Sequence, residues 1–112
     1  MHEQSFSENA NELEELLKQY EELRTGNRKA FLEEESFEMI IDHYDEKDDF
    51  SKALEVTETG LEYFPYSATL LIKKADLLIA THHYKKALEI LEQAHFYDAH
   101  NIDIYILKTD AF

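Results

Sequence analysis

Glu92 and His95 stand three residues apart, the spacing at which a carboxylate and an imidazole leave one face of a helix and can share a transition metal. A dinuclear site of that kind needs a second Glu-x-x-His on a facing helix, and this chain has no other. The adjacent pair His82-His83 suits a metal if a carboxylate lies near, but it falls between helices, where polar residues are freely tolerated. His43 lies within Ile41-Asp42-His43-Tyr44-Asp45, without the Lys- and Gly-containing surroundings of a phosphotransfer histidine. Ser, His and Asp are all present, yet no spacing matches a nucleophile elbow. There is no Cys, which removes thiolate zinc sites, Cys nucleophiles and disulfide frameworks. The expectation is a protein without catalysis and without a cofactor. A metal-dependent helical-bundle enzyme is the weakest of the readings.

Seven Tyr and seven Phe offer faces on which bases stack, but such proteins also need a basic stripe to hold phosphates. Here 25 Asp and Glu face 11 Lys and Arg, a formal charge of −14 that repels nucleic acid and anionic membranes. The acidity is uneven: residues 1–67 hold 19 acids and 6 bases, whereas residues 68–112 hold 6 and 5. A hydrophobic content of 44% over 112 residues predicts one folded domain rather than a disordered chain. Two Gly and one Pro argue against a turn-rich β fold and a Gly-rich phosphate loop. Met1–Phe6 lacks the basic and apolar regions of a signal peptide, and no apolar run approaches the ~20 residues that cross a bilayer. A cytoplasmic location is expected.

The elements that would position these groups are helices. Leu13, Leu16, Leu17, Tyr20 and Leu23 form one stripe and predict a helix over 9–24, with Asn9 and Glu12 spaced as a capping box and Gly26 as its stop. Residues 25–33 read as a loop whose Phe31 and Leu32 tuck against the bundle. A second helix is predicted over 34–47 with Phe37, Ile40, Ile41 and Tyr44 on one face. Asp48-Asp49 supplies a turn and cap, and a third helix over 50–64 ends at Pro65.

From there the chain repeats at an offset of 34. Lys52-Ala53-Leu54-Glu55 recurs as Lys86-Ala87-Leu88-Glu89; Phe50 matches Tyr84, Gly60 matches Ala94, and Phe37 matches Leu71 and then Tyr105. A period of this size marks a helix pair stacked on copies of itself. Ala53, Gly60, Ala87 and Ala94 are the positions where helices should approach too closely for larger side chains.

On these residues the chain resembles the tetratricopeptide repeats. One unit would run over 34–67 (Phe37, Ile40, Tyr44, Phe50, Ala53, Gly60, Pro65) and a second over 68–101 (Leu71, Ala75, Leu78, Tyr84, Ala87, Ala94). Residues 102–112 would be the first helix of an incomplete third, and 1–33 a capping helix and loop. Ile41, where the family has a small residue, and Ala99, where it has Pro, depart from the pattern. The resemblance implies an all-α, right-handed solenoid of about six helices, and binding of a protein or peptide in a concave groove. Its contact positions would be Glu35, Glu38, Asp42 and Asp45; Thr69, Ile72, Asp76 and Ile79; and Asp103, Ile106 and Asp110. Such a groove is acidic with apolar pockets, so a basic or basic-apolar segment is the expected ligand. Ile102, Ile104, Tyr105, Ile106, Leu107 and Phe112 make the last helix apolar nearly all round. This predicts either continuation into a longer array or a homodimer through Ile104, Tyr105, Leu107 and Phe112.

Overall fold

A computed structural model describes residues 2–26 and 30–111, and for residues 2–10 the backbone course alone. Among the described residues there are six helices and no strand: α1 (His2–Arg24), α2 (Glu34–Glu46), α3 (Phe50–Tyr63), α4 (Ala68–Ala80), α5 (Tyr84–Tyr97) and α6 (Ile102–Ala111). The chain is all-α, and α2, α3 and α6 begin and end within a residue or so of the predicted limits. α1 does not. It runs through Asn9, which is therefore not the helix start; residues 2–8 hold neither Gly nor Pro to break the helical ladder.

The helix ends have chemical causes. Asp49 caps α3, its Oδ1 accepting the Lys52 amide at 3.2 Å, and Ser67 caps α4 by accepting the Leu70 amide at 3.1 Å. Each cap satisfies one of the free amides that every helix start exposes. Gly26 sits at φ +88° after α1, the left-handed position a C-terminal stop requires.

The core forms two clusters. In the first, Leu16, Tyr20 and Leu23 of α1 cover Phe37, Ile40 and Ile41 of α2, together with Ala53, Val56, Leu70 and Leu77. In the second, Leu71 and Ala75 of α4 meet Leu91 and Ala94 of α5 and Ile104 of α6. Leu32 is buried as predicted, but Phe31 is 67% exposed and does not join the bundle. Gly60 faces Phe37 so closely that an added Cβ would lie 3.1 Å from the ring and 3.2 Å from Leu70.

Each helix packs on the next in sequence. In addition α2 touches α4 and α4 touches α6, whereas α3 and α5 do not meet. In a stack of helix pairs the layer whose members touch is the inner one, so α2, α4 and α6 form the concave side of a curved, two-layer solenoid.

Candidate functional site

The concave face is built from the outward sides of α2, α4 and α6, whose other sides carry core residues such as Phe37, Leu71 and Ile104. Ile72, Lys73 and Asp76 of α4 and Asp103, Ile106 and Leu107 of α6 line one depression of about 240 Å³. Four of these six, Ile72, Asp76, Asp103 and Ile106, are residues that the repeat register assigned to the groove. Next to them the Lys73 Nζ lies 2.7 Å from Asp42 Oδ1 and ties α4 to α2. A second hollow, between α1 and α2, is lined by Leu13, Met39, Asp42, His43 and Glu46.

The acids here act on one another. Glu38 has its pKa raised, chiefly by withdrawal from water; Lys73 opposes the shift, and repulsion from Glu34, Asp42 and Glu35 adds to it. Asp45 is raised by desolvation and then by Asp42, again with Lys73 opposing. Asp76 is exposed over the whole residue, yet desolvation of its carboxylate raises its pKa, with Asp45 and Asp110 contributing from either side. Charge therefore links α2, α4 and α6 along one face. Glu35 is exposed at the start of α2, and Ile79 is half-buried near the end of α4; neither lines the two hollows.

Lys73 escaped the sequence reading, which counted the second, fifth, ninth and twelfth helix positions. The signal was present in the sixth position, which holds Met39, Lys73 and Leu107 at successive offsets of 34, and all three line these hollows.

The C-terminal helix differs from expectation in one residue. Ile104 is fully buried in the second core cluster and presents no surface for a partner. Its equivalent 34 residues earlier, Leu70, is also fully buried, so the repeat itself carried that information. Tyr105 and Ile106 are about half exposed and Ile102 more so, Leu107 is half-buried in the groove, and Phe112 lies outside the described residues.

The residues with possible chemistry have structural partners instead. Glu92 receives the Lys108 Nζ at 2.6 Å, and one repeat earlier Glu58 receives that of Lys74 at 3.4 Å. The same ion pair thus ties the second helix of each pair to the following helix, and it holds the pKa of Glu92 down through a hydrogen bond and charge. His95 lays its ring edge-on to Tyr105 at 6.0 Å, with Nδ1 buried and without a hydrogen-bond partner among the described residues. His82 Nδ1 lies 2.7 Å from the Tyr84 hydroxyl and His83 Nδ1 2.9 Å from that of Thr81. Among the described residues no three His, Asp or Glu side chains converge to hold a metal ion, and no helix is long and apolar enough to cross a membrane.

A family model described as tetratricopeptide repeat matches residues 46–111. No curated protein and no solved structure matches the chain significantly.

Proposed function

Because the chain belongs to the tetratricopeptide repeat family, whose repeats generally mediate protein–protein interaction, we propose that it is a non-catalytic adaptor whose concave face takes a basic or basic-apolar segment of a partner protein. The units are 34–67 and 68–101, with 102–112 as the first helix of a third and 1–33 as a cap. One observation carries the reading: Ile72, Asp76, Asp103 and Ile106, from two successive units, line a single hollow. An aliphatic side chain fits between the two isoleucines, while a neighbouring cation meets Asp76 and Asp103. Glu38, Asp42 and Asp45 extend the acidic track along α2, and Glu35 and Ile79 bound its two ends. Charge of this kind speeds and orients the encounter, and the apolar pocket holds the complex.

Fluorescence anisotropy with a labelled peptide alternating Arg and Leu tests it. Glu38→Lys with Asp42→Lys is expected to weaken binding about tenfold, the equivalent of ~1.4 kcal/mol. Ile72→Asp should do the same through the pocket, and Lys73→Ala should tighten binding by removing a competing cation. Unchanged affinity in the first two variants overturns the reading.

A second reading rests on Ile102 and Tyr105, which leave the outer side of α6 apolar and open. In it α6 pairs with another copy through Tyr105 and its neighbours, without Ile104. Light scattering on a size-exclusion column decides: a salt-insensitive dimer abolished by Tyr105→Glu supports it, and a monomer refutes it.

A further inference from the structure

The cations of residues 68–112 divide into two groups. Lys73, Lys74 and Lys108 each lie within 4 Å of a carboxylate on a neighbouring helix. Lys85 and Lys86 are exposed and reach no carboxylate among the described residues, in a chain with 25 acids. The equivalent of Lys86 one repeat earlier, Lys52, pairs with Glu55 at 2.9 Å and with Glu21 at 3.7 Å. The two free lysines adjoin exposed His82 and His83 in the α4–α5 turn. Together with Tyr84 and Glu89 they line an open depression of about 610 Å³.

The fold does not require bases there. The α2–α3 turn has the same backbone, with Asp48 at φ +58° where the later turn has His82 at φ +65°, and it carries Asp48 and Asp49 in place of the two histidines. Asp49 also caps its helix, whereas His83 makes no side-chain cap bond to α5. The later turn therefore gives up a stabilising contact and gains a basic surface.

We propose that the α4–α5 turn is a second docking surface, for a short acidic segment of a partner protein. The carboxylates of that segment would meet Lys85, Lys86 and an imidazole, and an aromatic side chain would lie against Tyr84, which is 40% exposed. Two features select a short peptide over a nucleic acid. The patch is one turn wide, and a chain of charge −14 repels an extended polyanion everywhere else. At physiological salt a field reaches about 8 Å, so a short segment feels the patch without feeling the rest of the protein. With an acidic groove and a basic turn, the protein would join two partners of opposite charge. This proposal is independent of the occupant of the groove.

Anisotropy of a fluorescein-labelled Glu-Asp-Glu-Phe-Glu-Asp peptide, with the whole chain, tests it. Saturable binding is expected, weakening about tenfold between low and high salt and about tenfold in Lys85→Glu with Lys86→Glu. Both side chains are exposed, so circular dichroism should show the variant folded. The groove variant Glu38→Lys with Asp42→Lys should retain binding, which separates this surface from the concave face. Absence of saturable binding, equal affinity in the turn variant, or tighter binding of a single-stranded oligonucleotide than of the peptide would overturn the proposal.

Discussion

The pairs α2–α3 and α4–α5 are two solutions to one backbone problem. Their turns share hydrogen bonds at an offset of 34: the Asp49 amide donates to the Tyr44 carbonyl at 2.9 Å and the His83 amide to that of Leu78 at 2.7 Å. Their exits match as well, Phe64 to Gly60 at 2.8 Å and Asp98 to Ala94 at 2.9 Å. What differs is volume inside and charge outside. The first pair sets Phe37 against Gly60, and the second places Leu71 and Ala94 in one cluster, so a smaller residue on one helix accompanies a larger one on the other. The first turn is acidic and capped; the second is basic and uncapped. A repeat thus constrains the sum of the packed side chains and the path of the chain, and leaves the exposed turn free to acquire a function.

The interior half of that comparison has the largest expected effects. Phe37 is fully buried and packs its ring against Tyr20, Tyr63 and Phe64 at centroid distances of 6.1–6.4 Å. Phe37→Ala should cost about 3–5 kcal/mol in urea unfolding, and Leu71→Ala about 2–5 kcal/mol. Gly60→Ala is the sharper test. A helix ordinarily gains about 1 kcal/mol from this change, but here the new Cβ would lie 3.1 Å from the stem of the fully buried Phe37 ring and 3.2 Å from Leu70. A net loss of about 1 kcal/mol is expected from overpacking. In a Phe37→Leu background, which imitates the second pair, the same change should stabilise. A double-mutant cycle showing no coupling between 37 and 60 would break the volume argument.

The turns come next. Asp49→Ala should cost about 1 kcal/mol by uncapping α3. His83→Asp should bring about the same amount to α5, and should weaken binding of the acidic peptide. Thermal melts measure the first effect and anisotropy the second. If His83→Asp leaves both unchanged, the contrast between the turns has no energetic content.

Much of this was legible in the amino-acid order because a repeat reports its own contacts. The offset of 34 placed α2 to α6 and the small packing residues, and the family resemblance assigned Ile72, Asp76, Asp103 and Ile106 to one face. Three features were not read correctly, each for a physical reason. Asn9–Glu12 looks like a helix start, but a capping box has no force where the preceding residues also favour helix. Phe31 is apolar, yet burial depends on a neighbour that the loop does not reach. Ile104 was counted with the outer side of α6 because apolar residues surround that helix, and only its equivalence with Leu70 reveals that it faces inward. The basic turn was visible as His82-His83, but its meaning required seeing which lysines are already paired.

The smallest effect concerns pH and again separates the regions. Glu38 and Asp45 on α2, with Asp76 on α4, have raised pKa values because the fold withdraws them from water and sets acids side by side. The folded chain then holds these protons more tightly than the unfolded chain, so between the raised values and the ordinary carboxylate range stability must increase as pH falls. Glu92 works in the opposite sense: its pKa is lowered by Lys108, and its contribution disappears only below the ordinary range. The melting temperature should therefore rise as pH falls from neutrality into the ordinary carboxylate range and fall only below that range. Glu38→Gln with Asp76→Asn should flatten the rise, because an amide has no proton to gain, whereas Glu92→Gln should leave it intact and soften only the acid limb. Binding of the Arg-Leu peptide should weaken over the interval in which the protein gains stability, since each proton taken up removes a charge that the ligand would meet. A rise in stability with no loss of that binding would mean that these acids are strained by the fold but do not serve the groove.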